Sequence, residues 1–260
     1  MMKNTIKAIG VVLAFVLLSA GLSYGQHNTG RATKGKILFV LTSHGEKGNT
    51  GEKTGFFLSE AAHPWEVLTA AGYEIDYVSP KGGEAPVDGF NLDDKVNKEF
   101  WENAEVQQKI KHTKKPSQVK AKDYVAIHYV GGHGAMWDFA DNKELAKLGA
   151  AVYEQGGVVS AVCHGPAGLV NLKLSNGKYL VDGKKVAAFT NAEEEDRKLT
   201  NVVPFLLETK LIERGANHIP GPDFKENVQV DGRLVTGQNP ASAKKVGEEV
   251  AKLLSQQESL

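Results

Sequence analysis

The chain has 260 residues, with 31 Lys and Arg against 31 Asp and Glu and a single Cys. A balanced charge speaks against nucleic acid or anionic membrane as a partner, and one Cys excludes an internal disulfide. A chain of this length can bury one sizeable core, and one domain is the simplest count.

Residues 1–25 read as a secretory signal peptide. Lys3 and Lys7 form a basic start, Ala8 to Ala20 is apolar and uncharged, and Ser23-Tyr24-Gly25 occupies the cleavage positions before Gln26. The apolar run is shorter than the ~20 residues a membrane span needs. The expectation is an exported protein, periplasmic or secreted, with no membrane contact after cleavage. The remaining chain carries 29 basic against 31 acidic residues. An oxidising compartment normally pairs its cysteines, so a lone thiol kept there is expected to be used.

Residues 26–35 are a polar, flexible leader, and 36–256 form one α/β domain. Lys36 to Leu41 is a buried first strand. Thr54 to Ala71 has helical spacing, and Glu60 shares a stripe with Phe56, His63 and Val67 beside the apolar face. Tyr73 to Ser79 is the second strand. Residues 80–120 are too long for an ordinary βα connection; they contain one charged amphipathic segment, Lys95 to Lys111, and read as an inserted cap over the active site. Tyr124 to Val130 is the third strand and runs into Gly131-Gly132-His133-Gly134. Asp141 to Gln155 is a helix.

Val158 to Leu172 then gives a strand, a sharp turn and a second helix, with Cys163 at the corner between the small residues Ala161 and Gly165. That is the pattern of a nucleophile elbow, whose corner residue is strained and projects from the sheet toward a helix N-terminus that favours a thiolate. Lys178 to Lys184 resembles a hairpin about Asp182-Gly183, and Val186 to Thr190 is another core strand before the acidic loop Asn191–Asp196. Pro204 to Arg214 is a short helix, Val228–Val230 and Arg233–Thr236 pair across Asp231-Gly232, and Ala241 to Leu254 is the last helix. Strands alternating with helices predict a flavodoxin-like, mainly parallel sheet covered on both faces.

The strand ends meet in one crevice in such a fold. Cys163 is the candidate nucleophile, with His164 beside it to hold the thiolate. Gly131-Gly132 offers backbone N–H groups to an oxyanion, with the His164 N–H as second donor. An acid must orient the histidine, and Glu193, Glu194, Glu195 and Asp196 all qualify by spacing. Glu60, held where Pro64 interrupts helix hydrogen bonding, is a candidate for proton transfer with a raised pKa. Trp137 and the 80–120 segment are expected to line the cavity. His44, His63 and His133 with Glu60 show no metal-ligand spacing.

From about Lys36 to Leu254 the chain resembles the ThiJ/PfpI superfamily, with the class I glutamine amidotransferase-like fold. The resemblance is densest at KTGFFLSEAAHPWEVL (53–68), GGHGAMWDF (131–139), GGVVSAVCHGPAGL (156–169), KKVAAFTNAEE (184–194) and DGRLVTGQNPASA (231–243). These motifs look like the branch of glutathione-independent glyoxalase III and related chaperones and protein deglycases. The resemblance implies Cys163 as nucleophile, His164 as its partner, Glu60 as acid–base carboxylate and Glu194 as the acid orienting His164. It also implies a small α-oxoaldehyde substrate, no cofactor or metal, and a homodimer among the expected assemblies. A glutamine amidotransferase would need a downstream His-x-Glu, whereas only His218 follows, in His218-Ile219-Pro220. A PfpI-type cysteine peptidase or amidase and a holdase chaperone are the other functions considered.

Overall fold

The computed structural model describes residues 33–259. The expected signal peptide and most of the leader lie outside the described residues. The first strand, β1 (Lys36–Val40), serves two cores at once. Ile37 and Phe39 face one side of the sheet and Leu38 and Val40 the other, all fully buried, as the two-residue period of a strand requires. Each such side chain contributes about 1.5–3 kcal/mol by leaving water.

In chain order there follow β2 (Phe56–Phe57), α1 (Leu58–Ala70), β3 (Glu74–Val78), β4 (Val87–Asp88), α2 (Lys95–Glu102), α3 (Ala104–Lys111), β5 (Ala126–Tyr129), α4 (Ala135–Asp138), α5 (Lys143–Glu154) and β6 (Val158–Val162). The second half supplies β7 (Lys185–Val186), α6 (Asn191–Asp196), α7 (Leu207–Glu213), β8 (Asn217–His218), β9 (Val228–Asp231), β10 (Leu234–Gly237) and α8 (Ala243–Glu258). The main sheet has the order β3-β1-β5-β6-β10-β9, parallel except for the edge strand β9, which pairs antiparallel with β10. Helices α1 and α8 cover one face so closely that a Cβ on Gly247 would lie 2.9 Å from the Pro64 Cα. Helix α5 covers the other face. The expected α/β fold class is the one observed.

Four local expectations change. Phe56 and Phe57 leave the predicted first helix and pair with β4, because the Phe56 N–H donates to Pro86 O and the Phe57 N–H to Gly131 O. The 95–111 segment breaks in two at Asn103, whose side chain caps α3 by accepting from the N–H groups of Glu105 and Val106. The hairpin near residue 180 turns earlier, at Asn176-Gly177, with Gly177 at φ +81° and the Leu174 N–H donating to Lys178 O. Residues 187–190 do not join the main sheet. The Ala187 N–H donates to Thr236 Oγ1, the Phe189 N–H to Cys163 O, and Thr190 caps α6. Only Lys185 and Val186 are strand, paired with β8 in a separate ribbon.

Candidate active site

Cys163 directly follows β6, and its φ of +59° is the left-handed conformation that L-residues avoid. Two hydrogen bonds hold it there: the Cys163 N–H donates to Gly237 O at 2.9 Å, and Cys163 O accepts from the Phe189 N–H at 3.0 Å. The expected elbow is therefore present. The helix after it is not: a short 3₁₀ turn, Gly165–Leu169, takes its place. Tyr129 allows nothing larger there, since a Cβ on Gly165 would meet its carbonyl oxygen at 2.1 Å and one on Gly168 its ring at 2.4 Å.

The loop after β5 and the start of α6 bring two imidazoles to one carboxylate. His164 Nε2 lies 2.8 Å from Glu194 Oε2, and His133 Nε2 lies 2.9 Å from Glu194 Oε1. With Nε2 donating to Glu194, a neutral His164 leaves Nδ1 as an acceptor, and Nδ1 sits 3.3 Å from the Cys163 sulfur. Burial alone would raise the Glu194 pKa; the hydrogen bonds from His133 and His164 outweigh it and bring it down to about 2. His133 is pulled down to about 4 by burial and by the charge of His164, against the opposing pull of Glu194. Glu193 faces elsewhere. It completes the capping box of α6 with Thr190 and accepts from the Phe224 N–H and Asn239 Nδ2. This separates the two adjacent acids: Glu194 meets the histidine and Glu193 secures the loop.

Glu60, in the first turn of α1, is completely buried. It lies beside Cys163 because residue 131 is glycine: a Cβ there would lie 2.2 Å from Glu60 Oε2 and 2.9 Å from the Cys163 Cβ, and neither carboxyl oxygen has a hydrogen-bond partner among the described residues. Burial raises the Glu60 pKa well above the usual carboxylate range, with the Cys163 thiol and the Gly131 N–H pulling the other way. Burial likewise pushes the Cys163 thiol well up, and the neighbouring Glu60 pushes it further, against a hydrogen bond from the Gly132 N–H. The expected lowering of the thiol by a helix N-terminus is thus reversed: the 3₁₀ turn offers little dipole, and the acid is too close.

The crevice above the sulfur is a cavity of about 550 Å³, walled by Lys47, Thr50, Phe57, Gly132, His133 and Phe189 among others. Gly132 takes φ +102° and passes so close to the chain that a Cβ would fall 2.3 Å from Gly55 O. Two expectations about this wall are corrected. Trp137 stacks on His44, with ring centroids 5.0 Å apart, and supports the 47–52 loop at Gly48 from behind rather than lining the cavity. Of the 80–120 segment only Asp88 reaches the wall; α2 and α3 pack on α1 and β3, and the cover comes from residues 47–57 and 197–202.

The sequence pattern of the DJ-1/PfpI family matches residues 53–253. The chain belongs to the DJ-1/PfpI family. Among similar members, glyoxalase 3 of Candida albicans is 39% identical over 227 residues, covering 83% of this chain and 96% of that protein. The glutathione-independent glyoxalase HSP31 of Saccharomyces cerevisiae is 33% identical over 232 residues, covering 80% and 93%. The crystal structure of glyoxalase III from Candida albicans superposes with a TM-score of 0.78 at 36% identity, covering 85% of this chain and 97% of that one. Rapid Encystment Protein 24 kDa of Francisella tularensis gives 0.82 at 37% identity, covering 85% and 99%.

Within this DJ-1/PfpI site the sequence reading brought Cys163, His164, Glu60, Glu194, Gly131 and Gly132 together, and so does the structure. It missed the partnership of His133 with Glu194. The available signal was its place directly after Gly131-Gly132, at a strand end facing the same crevice. The ligand atoms of His133, His164 and Glu194 lie within 4.8 Å of one another, so among the described residues these three could hold a metal ion. His44 and His63 do not join them: His44 stacks on Trp137, and His63 Nε2 bonds to Asp94 at 3.1 Å.

Proposed function

We propose that this chain is a glutathione-independent glyoxalase that converts methylglyoxal to lactate without a cofactor. The observation that carries the reading is Glu60, a buried carboxyl held against Cys163 by the absence of a side chain at Gly131. A hydrolase needs a nucleophile, a base and an oxyanion site. An internal redox transfer also needs a group that removes a proton from one carbon and returns it to the next. The names of the similar proteins agree with that chemistry.

His164 Nδ1 takes the thiol proton, and the sulfur adds to the aldehyde carbon. The resulting oxyanion lies toward the N–H groups of Gly132 and His164. Glu60 as carboxylate removes the proton from the former aldehyde carbon while His164 passes the thiol proton to the ketone oxygen, giving an enediolate. As carboxylic acid it returns the proton to the neighbouring carbon, leaving a thioester of lactate. Water cleaves the thioester, releasing lactate and restoring the thiol. Glu194, kept ionised by its two donors, holds the His164 ring and balances its positive charge. Trapping of protein-bound aldehyde by the same sulfur would give deglycase activity. Export through residues 1–25 completes the reading; a mature N-terminus at Gln26 tests it.

A holdase role lacks a specific support. The exposed large apolar side chains among the described residues, Phe90, Ile212 and Val230, stand on separate elements. The deciding experiment is lactate production from methylglyoxal by the purified protein without glutathione. Cys163→Ala and Glu60→Gln are expected to lose it; full turnover in both would exclude the mechanism.

A further inference from the structure

Three non-glycine residues among those described have a left-handed backbone: Cys163 at φ +59°, Lys198 at +59° and Phe224 at +54°. Two of them line one cavity and the third packs behind its wall. Cys163 lies at its floor and Lys198 in its wall, while the Phe224 ring packs 6.2 Å from that of Phe189 and carries the Arg197 guanidinium 4.7 Å from its centre. Lys198 follows the last turn of α6, where the Leu199 N–H reaches back to Glu194 O. Glycine ordinarily fills that position without strain, and an L-residue there costs about 1–2 kcal/mol. Non-glycine strain of this kind gathers at functional sites.

The wall carries three basic side chains, Lys47, Arg197 and Lys198, against two carboxylates, Glu52 and Asp88, leaving a net +1. Lys47 is paired with Glu52 at 3.1 Å, and Asp88 accepts from Thr54 Oγ1 and the Gly89 N–H. Arg197 and Lys198 line the cavity, are exposed, and have no carboxylate partner among the described residues. The cavity of about 550 Å³ falls in the range that holds ligands of drug size, about 300–1,000 Å³, far beyond methylglyoxal with its three carbons and two oxygens.

We infer that Arg197 and Lys198 form an anion subsite, and that the preferred substrates are α-oxoaldehydes bearing a carboxylate or phosphate beyond the ketone. This rests on the glyoxalase reading above. For such a compound, 4,5-dioxopentanoate, the same internal transfer applies. The aldehyde carbon is oxidised to an acid, the ketone is reduced to an alcohol, one water is added, and the product is 2-hydroxyglutarate.

The test compares kcat/KM for 4,5-dioxopentanoate with that for its uncharged methyl ester. The wild type is expected to favour the acid by about tenfold or more, as hydrogen bonds to a charged group allow, with the preference shrinking as salt screens the charges. Arg197→Gln/Lys198→Gln is expected to bring the ratio near one, and Arg197→Glu/Lys198→Glu to invert it. Equal use of acid and ester by the wild type, or an unchanged ratio in both double variants, overturns the subsite while leaving the glyoxalase reading intact. Failure to consume methylglyoxal, the ester and the acid alike overturns both.

Discussion

His133 and His164 stand with ring centroids 4.0 Å apart and donate to opposite oxygens of the same carboxylate, Glu194. Two imidazoles this close repel when both are charged; burial first, and this repulsion second, bring the His133 pKa down to about 4. The pair therefore has a division of labour: His164 exchanges the proton with sulfur, and His133 fixes the acid that steers it.

His133→Ala removes one donor from Glu194, whose pKa is expected to rise from about 2. His133 acts as a positioning residue, so the effect should appear as a change of profile and not only of rate. We expect kcat to fall about tenfold, the loss of one charge-assisted hydrogen bond. The acid limb of the pH–rate curve should move upward, and His133→Gln should restore part of both. An unshifted limb would remove His133 from the mechanism.

Glu60→Gln should lower turnover by about 10²–10⁴-fold, the span of general acid–base catalysis, yet make the protein more stable. A carboxyl whose folded pKa is raised disfavours folding progressively as pH climbs from the unfolded value, 4.5, toward the folded one. The gain in Tm from Glu60→Gln should therefore be small near pH 4.5 and grow toward alkaline pH. Each kcal/mol corresponds to about 2–4 °C in a domain of this size. Thermal melts from pH 4.5 to 8.5 measure it; a variant less stable at every pH contradicts it.

The same acid should govern the thiol. With Cys163 pushed up by burial and by Glu60, carbamidomethylation by iodoacetamide should be slow at pH 7 and accelerate as pH rises. Glu60→Gln removes the negative neighbour and should move the rate curve to lower pH. Identical curves for the two proteins would show that the carboxylate and the sulfur do not sense one another.

Glu194 contributes in the opposite sense to Glu60. Its folded pKa of about 2 lies below the ordinary 4.5, so its stabilisation is complete above 4.5 and vanishes as pH falls toward 2. At neutral pH the shift amounts to roughly 3 kcal/mol. Glu194→Gln should lose stability on that order at pH 7, and its urea midpoint should vary less between pH 4.5 and 3 than that of the wild type.

The elements whose bonds are local, or whose apolar pattern is unbroken, could be read directly. β1, β5 and β6 follow from their runs of buried aliphatics, and the β9–β10 hairpin from Asp231-Gly232. What escaped depends on partners far along the chain. Phe56 and Phe57 leave the helix because Pro86 and Gly131 accept their N–H groups, and residues 187–190 leave the sheet because Thr236 and Cys163 do. The site divides the same way. Cys163 and His164 are neighbours in sequence, whereas Glu194 and His133 are 61 positions apart and are joined only by the fold. The segment expected as a helix after the elbow is a 3₁₀ turn whose Gly165 and Gly168 pack on Tyr129, a contact no local pattern reports.

Gly131 and Glu60 occupy one space between them. A methyl group on the first would overlap the carboxylate of the second, and the carbonyl of Val162 at 2.4 Å closes the other way out. Seventy-one positions apart, the two are tied in one direction: a side chain at 131 would displace the acid, while loss of the acid leaves the glycine still held by the Val162 carbonyl and by the Cys163 Cβ at 2.9 Å. A descendant of this chain that abandons proton shuttling by replacing Glu60 thus keeps its glycine, and a single reversal restores the pair.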